Sequence, residues 1–290
     1  MPQAFVLNVI AENASDIARA LGELGKPDWL AQSRAFDIAI VGDATAALAR
    51  AREISKGLNA DINLVPTKRR RKKLLVADMD STIIGCECLD ELADMAGLKP
   101  RIAAVTQRAM NGEIAFEPAL RERVALLKGL PLSALARVNA ERVRLNPGAK
   151  ALVATMKANG AKTLLVSGGF TYFTQRVAAA AGFDSQQANV LLDDGDKLLG
   201  LVKEPILGRE AKLEALERAT RNSGLDISET LAVGDGANDL GMIERAGLGV
   251  AYHAKPIVAA SADAGIAHGD LTALLYLQGY REDEIVGGLQ

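Results

Sequence analysis

The segment Leu74-Leu75-Val76-Ala77-Asp78-Met79-Asp80-Ser81-Thr82 decides the fold. Its apolar half predicts a buried central strand of a parallel sheet, and the polar residues that follow predict a loop at the carboxyl end of that strand. Open α/β sheets bind their ligands at this edge. Two aspartates one residue apart repel each other, so we expect a divalent cation between them, a proton on one of them, or both. An Asx turn with two solvated carboxylates is the alternative that this segment leaves open.

Length and composition exclude several classes of protein. The chain has 290 residues, with 34 lysines and arginines, 36 acidic residues and 49% hydrophobic residues. This length allows two or three domains, and the near-neutral charge gives no general attraction to nucleic acid or to a membrane. Since there is no apolar segment of about 18 residues and no secretion signal, we expect a soluble, cytoplasmic protein. Cys86 and Cys88 are too close for an ordinary disulfide and too few for a structural zinc site, so we expect reduced thiols.

Residues 1–67 predict a small first domain. Its apolar spacing gives the order βαββαβ of a ferredoxin-like fold, with strands at residues 5–10, 29–33, 36–41 and 62–65. The pattern resembles the ACT-like domain that precedes the catalytic part of some phosphatases. The first strand-to-helix turn, residues 11–15, lacks the glycine of amino-acid-binding ACT domains. We therefore predict a packing or dimerisation module, in keeping with a homodimer, and a regulatory ligand is the alternative.

Residues 68–84 connect this domain to the first core strand and carry that strand with its two aspartates. They begin with six consecutive cations, residues 68–73. One short basic run with few aromatic neighbours is weak evidence for nucleic-acid binding. We therefore interpret residues 68–73 as a solvated interdomain linker.

Residues 85–146 predict an inserted helical cap. Apolar residues recur three or four apart in four segments, at residues 88–96, 99–110, 117–128 and 132–143. Because the insertion directly follows the first core strand, we expect it to lie over the carboxyl end of that strand as a lid.

Residues 147–290 predict the remainder of a catalytic core. Helices alternate with apolar strands, which we expect at residues 162–166, 230–233, 249–252 and 265–267, and residues 188–202 are predicted to form a hairpin about Asp194-Gly195. This alternation is typical of an α/β fold with a doubly wound parallel sheet.

Three predicted strands end in polar residues. Asp78 and Asp80 follow the first core strand, Ser167 and Gly168 the second, and Asp235, Asn238 and Asp239 a third. Because the carboxyl ends of parallel strands share one edge of the sheet, we expect these groups to converge there.

The order of these motifs resembles that of haloacid-dehalogenase-like phosphatases. Asp78-Met79-Asp80-Ser81-Thr82 fits their D-x-D-x-T signature, Ser167 their second motif, Lys212 their third, and Gly234-Asp235 with Asn238-Asp239 their acidic fourth. The resemblance covers roughly residues 74–280 and is specific because four motifs occur in the family's order. Met79 stands where phenylalanine is commoner, and it is still apolar.

The resemblance implies a role for each polar residue. Asp78 would attack phosphorus to form an aspartyl phosphate, and Asp80 would serve as general acid and then as general base. Mg²⁺ would be held by the Asp78 carboxylate, the Asp80 backbone carbonyl and Asp235, with Asp239 supporting the ligands from behind.

Further residues would bind the phosphoryl group in this family. Ser167 and the Gly168 amide would donate hydrogen bonds to its oxygens, and the Lys212 ammonium would neutralise them. Asn238 is a candidate contact to the substrate or its phosphate. Without the family, Lys212 would be interpreted as a solvated lysine on a helix.

The cap resembles that of phosphoserine phosphatases within the family. Residues 85–92 match the stretch whose glutamate, here Glu87, lies against the substrate ammonium. Met110 and Phe116 match residues of the pocket wall, and Arg123 matches the arginine that binds the substrate carboxylate, which suits a guanidinium. Without the family, Arg123 would be a solvated residue and the other two would be helix core.

The resemblance therefore predicts a Mg²⁺-dependent phosphatase that hydrolyses O-phosphoserine to serine and phosphate, the last step of serine biosynthesis. Two alternatives remain open at this point. The first is hydrolysis of another small phosphomonoester, or transfer of its phosphoryl group to an alcohol such as homoserine. The second is a phospho-accepting or amino-acid-sensing regulator, although a regulator would be expected to lack either Asp80 or the lid.

Overall fold

The computed structural model describes residues 4–110 and 113–287, except for the side chain of Met110. The predicted position of Met110 in the pocket wall therefore lies outside the described residues. The helices and strands in chain order are β1 (Phe5–Ala11), α1 (Ala14–Ala20), β2 (Asp28–Ala31), β3 (Ala35–Ile40), α2 (Ala44–Ile54), β4 (Ala60–Pro66), β5 (Leu74–Ala77), α3 (Cys88–Met95), α4 (Lys99–Met110), α5 (Phe116–Ala125), α6 (Leu132–Glu141), α7 (Ala149–Ala158), β6 (Lys162–Phe170), α8 (Thr171–Ala181), β7 (Ser185–Asn189), β8 (Leu191–Asp193), β9 (Leu198–Val202), α9 (Arg209–Asn222), β10 (Thr230–Gly234), α10 (Leu240–Arg245), β11 (Gly249–Tyr252), α11 (Pro256–Ser261), β12 (Ala264–Ile266) and α12 (Ala273–Leu277).

The first four strands form an antiparallel sheet in the order β2-β3-β1-β4. Alternate residues of β1 point to opposite faces of this sheet. Leu7 and Val9 pack with Ile17 of α1 in a small core of their own. Val6 and Ile10, on the other face, belong to the large core of the molecule. The predicted βαββαβ order is confirmed, and both faces of the sheet are buried.

A six-stranded parallel sheet forms the centre of the molecule, in the order β12-β11-β10-β5-β6-β7. Strand β5 lies between β10 and β6, and all four of its residues are buried. Helices α7, α8 and α12 contribute to the core on one face, and α9, α10 and α11 to the core on the other. The doubly wound α/β fold is thus confirmed, and the ends of β5, β6 and β10 lie side by side.

Helices α3 to α6 occupy the segment between β5 and β6, where the sequence predicts the cap. Leu92, Ile102, Leu120 and Leu135, one from each helix, are buried in the large core. The hairpin of β8 and β9 packs against α5 through β9. The cap is therefore joined to the core by continuous apolar packing.

Strand β7 was not predicted. The sequence analysis assigned residues 188–202 to a hairpin, but Ser185–Asn189 first pairs in parallel with β6 as the edge of the central sheet. Only β8 and β9 form the hairpin. Strand β7 has the sequence SQQAN, which lacks the apolar run of a buried strand. An edge strand pairs with a neighbour on one side only, so it is less enclosed than a central strand.

The basic segment 68–73 was predicted to be a solvated linker, and this is wrong for two of its side chains. The Arg70 guanidinium donates to Asp37 in β3 (Nη2 to Oδ1, 2.9 Å) and to the carbonyls of Tyr276 (3.0 Å) and Leu277 (2.8 Å). Lys72 is 6% exposed and its Nζ donates to two backbone carbonyls. The segment therefore fastens the first sheet to the core, because acceptors from distant parts of the chain surround its cations.

A second contact joins the two sheets at their edges. The Asp61 carboxylate in β4 accepts hydrogen bonds from the amides of Ala267 (2.7 Å) and Gly269 (2.8 Å). Asn63 donates to the Gly265 carbonyl (3.1 Å) and accepts from its amide (2.8 Å). These side chains satisfy backbone groups at the edge strand β12. Within the described ranges, none of the helices has the length and apolar character needed to span a bilayer.

Candidate active site

The turn after β5 places the two aspartates of the first motif. Asp78 extends the strand, and its amide donates to the Val233 carbonyl in β10 at 3.0 Å. The chain then turns sharply, with Ser81 at φ +58°, a conformation in which few non-glycine residues are found. Asp78 is 5% exposed. This turn directs both carboxylates into the same cavity, which they line together.

The Asp80 carboxylate is held by hydrogen bonds from two other elements. Its Oδ1 accepts from the Cys88 amide at the start of α3 (2.9 Å), and its Oδ2 accepts from Ser167 Oγ (3.0 Å). Ser167 lies three residues before the end of β6, which extends to Phe170 and is longer than the predicted strand at residues 162–166. The Gly169 amide donates to Ser167 Oγ in turn (2.8 Å). Burial raises the pKa of Asp80 above its ordinary value, although these hydrogen bonds oppose the shift. The raised pKa favours a protonated carboxyl.

Lys212 of α9 is buried between two carboxylates. Its side chain is 2% exposed, and Nζ lies 2.6 Å from Asp78 Oδ1 and 2.6 Å from Asp239 Oδ1. Burial opposes its charge, but the two carboxylates outweigh this and raise the pKa of Lys212. Burial and the charge of Asp239 nevertheless raise the pKa of Asp78, because one ammonium cannot neutralise two carboxylates. One ammonium does not balance the charge of the two carboxylates, so a further cation would stabilise them.

Asp235 brings a third carboxylate to this position. Oxygen atoms of Asp78, Asp235 and Asp239 lie within 4.8 Å of one another. Burial and the charge of Asp239 raise the pKa of Asp235 as well. Carboxylate oxygens are the ligands of hard divalent cations, and the surplus of negative charge here fits one. The sequence-predicted acidic residues therefore form a cluster that can hold a divalent metal ion.

Glycine is required where the cluster meets the strand end. A Cβ atom on Gly234 would overlap the carboxyl group of Asp239. The Asp239 Oδ2 atom also accepts from the Gly236 amide at 3.0 Å. Strand β10 can thus deliver Asp235 and Asp239 to one place only because Gly234 has no side chain.

A cavity of about 470 Å³ lies between the strand ends and the cap. Lys212 and Asp239 are buried beside it, among the groups that surround Asp78. Nine of the sequence-predicted site residues line it, namely Asp78, Asp80, Glu87, Phe116, Arg123, Ser167, Gly168, Asp235 and Asn238. The fold therefore brings together residues that are far apart in the sequence.

The cap contributes one acidic and one basic side chain to this cavity. Glu87 Oε1 accepts from Ser81 Oγ at 2.7 Å, and burial together with the charge of Asp80 raises the pKa of Glu87 to about 7. Arg123 Nε donates to the Ala119 carbonyl of its own helix at 3.3 Å. In the part of the chain that the structure describes, no carboxylate forms an ion pair with Arg123. The Glu87 carboxylate and most of the donors of Arg123 are therefore available to a ligand.

Phe116 gives the cavity an apolar wall. Its ring lies 3.4 Å from the positions that Cβ atoms would occupy on Gly168 and on Gly208. The ring thus packs across the glycines at the end of β6 and before α9, where the cap meets the core.

Comparison with known proteins places this geometry in a family. The sequence model of the family described as haloacid dehalogenase-like hydrolase matches residues 75–244, more than half of the chain. This chain belongs to the haloacid dehalogenase-like hydrolases. The matched range begins in β5 and ends in α10, so it contains all twelve of the sequence-predicted site residues.

Relatives within the family extend the similarity over most of the chain. A phosphoserine phosphatase of Polaromonas sp. is 46% identical over 230 residues, which cover 78% of this chain and 98% of that relative. One of Archaeoglobus fulgidus is 43% identical over 234 residues, which cover 80% of this chain and 68% of the relative. The unliganded structure of a probable phosphoserine phosphatase from Vibrio cholerae superposes with a TM-score of 0.82 at 33% identity, covering 97% of this chain and 88% of that one.

The structure adds residues that the sequence analysis of this family member missed. Lys255, Thr106 and Asp90 line the same cavity. The Lys255 amide donates to the Asp235 carbonyl at 3.1 Å, and its charge lowers the pKa of Asp235 against the effect of burial. Lys255 follows the end of β11, so the argument from strand ends could have found it. Thr106 gives no comparable signal, because it lies within a cap helix.

Proposed function

We propose that this enzyme hydrolyses O-phosphoserine to serine and phosphate. The observation that carries the proposal is that one cavity is bordered both by groups suited to a phosphate and by groups suited to an amino acid. Asp78 and Asp80 border it from the strand ends, and Glu87 and Arg123 border it from the cap. If the phosphate of O-phosphoserine lies at Asp78 and Asp80, the substrate ammonium can pair with the Glu87 carboxylate. The substrate carboxylate can then pair with the Arg123 guanidinium. The two curated relatives described above are phosphoserine phosphatases, which supports the same substrate.

In the first half of the reaction, Asp78 attacks phosphorus. A bond forms between its carboxylate oxygen and phosphorus, the bond from phosphorus to the serine oxygen breaks, and Asp80 gives its proton to that oxygen. The raised pKa of Asp80 supports this role because the acid must hold a proton at the start. The Lys212 ammonium holds Asp78 Oδ1 in place and reduces the repulsion between the carboxylate and the phosphoryl oxygens.

In the second half, the aspartyl phosphate is hydrolysed. Asp80, now ionised, takes a proton from water, the water oxygen bonds to phosphorus, and the bond from phosphorus to Asp78 breaks to release phosphate. Ser167 can respond to the change of Asp80 between its protonated and ionised forms. Its hydroxyl donates to Asp80 Oδ2, so protonation of Asp80 would free this donor for a phosphoryl oxygen, together with the Gly168 amide.

We propose Mg²⁺ as the divalent cation. The carboxylates of Asp78 and Asp235 and the backbone carbonyl of Asp80 would hold it, since oxygen ligands suit this ion. Asp239 would orient the site through Lys212 and the Gly236 amide. When bound, the ion would neutralise charge on the phosphoryl group. Asn238 would be a further substrate contact. We place the reaction in the cytoplasm.

The test is phosphate release from a panel of phosphomonoesters, with Mg²⁺ and with chelator. We expect O-phosphoserine to be the best substrate and its turnover to require the cation. Asp78→Asn should abolish both turnover and the phosphoenzyme that acid quenching traps. Turnover of esters without an α-amino group, and none of O-phosphoserine, would refute the substrate but not the chemistry. Activity retained by Asp78→Asn would refute Asp78 as nucleophile.

A further inference from the structure

Thr106 carries a buried hydroxyl group that the site described so far does not use. Within the described part of the chain, its Oγ1 is shielded from solvent and has no hydrogen-bond partner. A threonine in a helix usually donates to the carbonyl three or four residues earlier, and Thr106 makes no such bond. Buried polar groups without partners are rare in proteins and need an explanation.

The position of Thr106 gives that explanation. It lies on α4, lines the same cavity as the two aspartates, and α4 packs between α3 and α5. Glu87 directly precedes α3 and Arg123 lies on α5. Thr106, whose hydroxyl has no partner among the described residues, is therefore a residue of the cap side of the cavity, where the amino-acid end of the substrate would lie.

The chemistry of that end identifies the atom that Thr106 would contact. The substrate ammonium already has two acceptors nearby, because Glu87 and Asp90 both line the cavity. The charges of both carboxylates also reach Arg123, whose pKa they raise against the effect of burial. A carboxylate offers about four lone-pair sites, and a bidentate guanidinium uses only two of them. A hydroxyl donor on the helix that packs against the helix of Arg123 therefore fits a carboxylate oxygen better than the ammonium.

We propose that the Thr106 hydroxyl is a specificity-determining contact, which donates a hydrogen bond to the substrate carboxylate beside Arg123. This inference rests on the proposed function. It predicts that Thr106 separates esters with a carboxylate from those without one. It also predicts that the hydroxyl is costly to the free enzyme, since its hydrogen bond is made only with substrate.

The test compares Thr106→Val, which replaces the hydroxyl by a methyl group of similar size, with Thr106→Ser, which keeps it. The readout is the ratio of kcat/KM for O-phosphoserine to kcat/KM for O-phosphoethanolamine, which lacks the carboxylate. For Thr106→Val we expect this ratio to fall about tenfold, mainly through KM, which corresponds to about 1.4 kcal/mol. Thr106→Ser should keep most of the ratio.

Thermal unfolding without substrate provides the control for folding. Thr106→Val should have a Tm equal to or above that of the wild type, because it loses no hydrogen bond that the free enzyme makes. A lower Tm together with an equal loss for both esters would assign Thr106 to the packing of the cap and overturn the inference.

The two proposals fail in distinguishable ways. A wild-type enzyme that does not release phosphate from O-phosphoserine overturns the proposed function and this inference with it. A wild-type enzyme that turns over O-phosphoserine, with an unchanged substrate ratio in Thr106→Val, overturns this inference alone.

Discussion

Replacing Lys212 by methionine tests the electrostatic balance of the site. The change removes the only charge that lies within 2.6 Å of both Asp78 and Asp239 among the described residues. Oxygen atoms of these two carboxylates come within 4.8 Å of each other, which at an effective dielectric constant of about 20 gives a repulsion of about 3.5 kcal/mol. Breaking a buried ion pair by removing one partner costs a similar amount, about 3–5 kcal/mol. We expect the free energy of unfolding in EDTA to fall by that amount.

Lys72 provides a matched control because it is also a buried lysine. It is 6% exposed, but its Nζ donates to the carbonyls of Ser228 (2.8 Å) and Gly247 (3.0 Å), and burial lowers its pKa. Lys72→Met removes a charge that is costly to bury and leaves two carbonyls unpaired. We expect a loss of only about 1–2 kcal/mol, since no buried charge is left without a partner.

The assay is urea-induced unfolding followed by circular dichroism, in EDTA and in excess MgCl₂. Magnesium should stabilise Lys212→Met more than the wild type, because the cation supplies the missing positive charge. Burial raises the pKa of Asp78, so this carboxyl binds a proton more tightly in the folded state. The stability of Lys212→Met should therefore increase as the pH falls from 7 to 5. The reasoning is refuted if Lys212→Met loses no more stability than Lys72→Met, or if magnesium stabilises it no more than the wild type.

The remaining predictions concern the cap and the contact between the sheets. Arg123→Ala should raise KM for O-phosphoserine about 10- to 100-fold and affect O-phosphoethanolamine much less, and an equal loss for both would make Arg123 a structural residue. Because burial raises the pKa of Glu87 to about 7, it ionises as the pH rises from 6 to 8, and kcat/KM for O-phosphoserine should rise relative to phosphoglycolate, which lacks the ammonium. Glu87→Gln should abolish that rise, and a rise that persists would assign the titration to another group. Arg70→Met should lower the free energy of unfolding by about 3–5 kcal/mol because it removes the ion-pair partner of the 6%-exposed Asp37 side chain, which among the described residues keeps only the hydrogen bond from Asn8. As a control, Arg50→Met at the exposed Arg50 should give no measurable change in the free energy of unfolding. Equal effects of the two substitutions would contradict the role of Arg70 in joining the first sheet to the core.

Much of the fold could be predicted because short-range patterns determine it. The apolar residues before Asp78 form β5, and α4 and β11 have the predicted bounds of residues 99–110 and 249–252. Strand β7 could not be predicted in this way. Its polar sequence has no period, and it becomes a strand because the exposed edge of β6 is available for pairing.

The sequence by itself determined which chemical groups this protein has and at which strand ends they lie, because strand periodicity and the motif order are local properties. Only the tertiary structure decided what surrounds each group. It buries Lys212 between two carboxylates, pairs Arg70 with Asp37 of the first sheet, and leaves the hydroxyl of the cavity-lining residue Thr106 without a partner in the described part of the chain. The physical reason is that burial and partners depend on residues that are distant in the chain, and these set the charge state and the cost of each polar group.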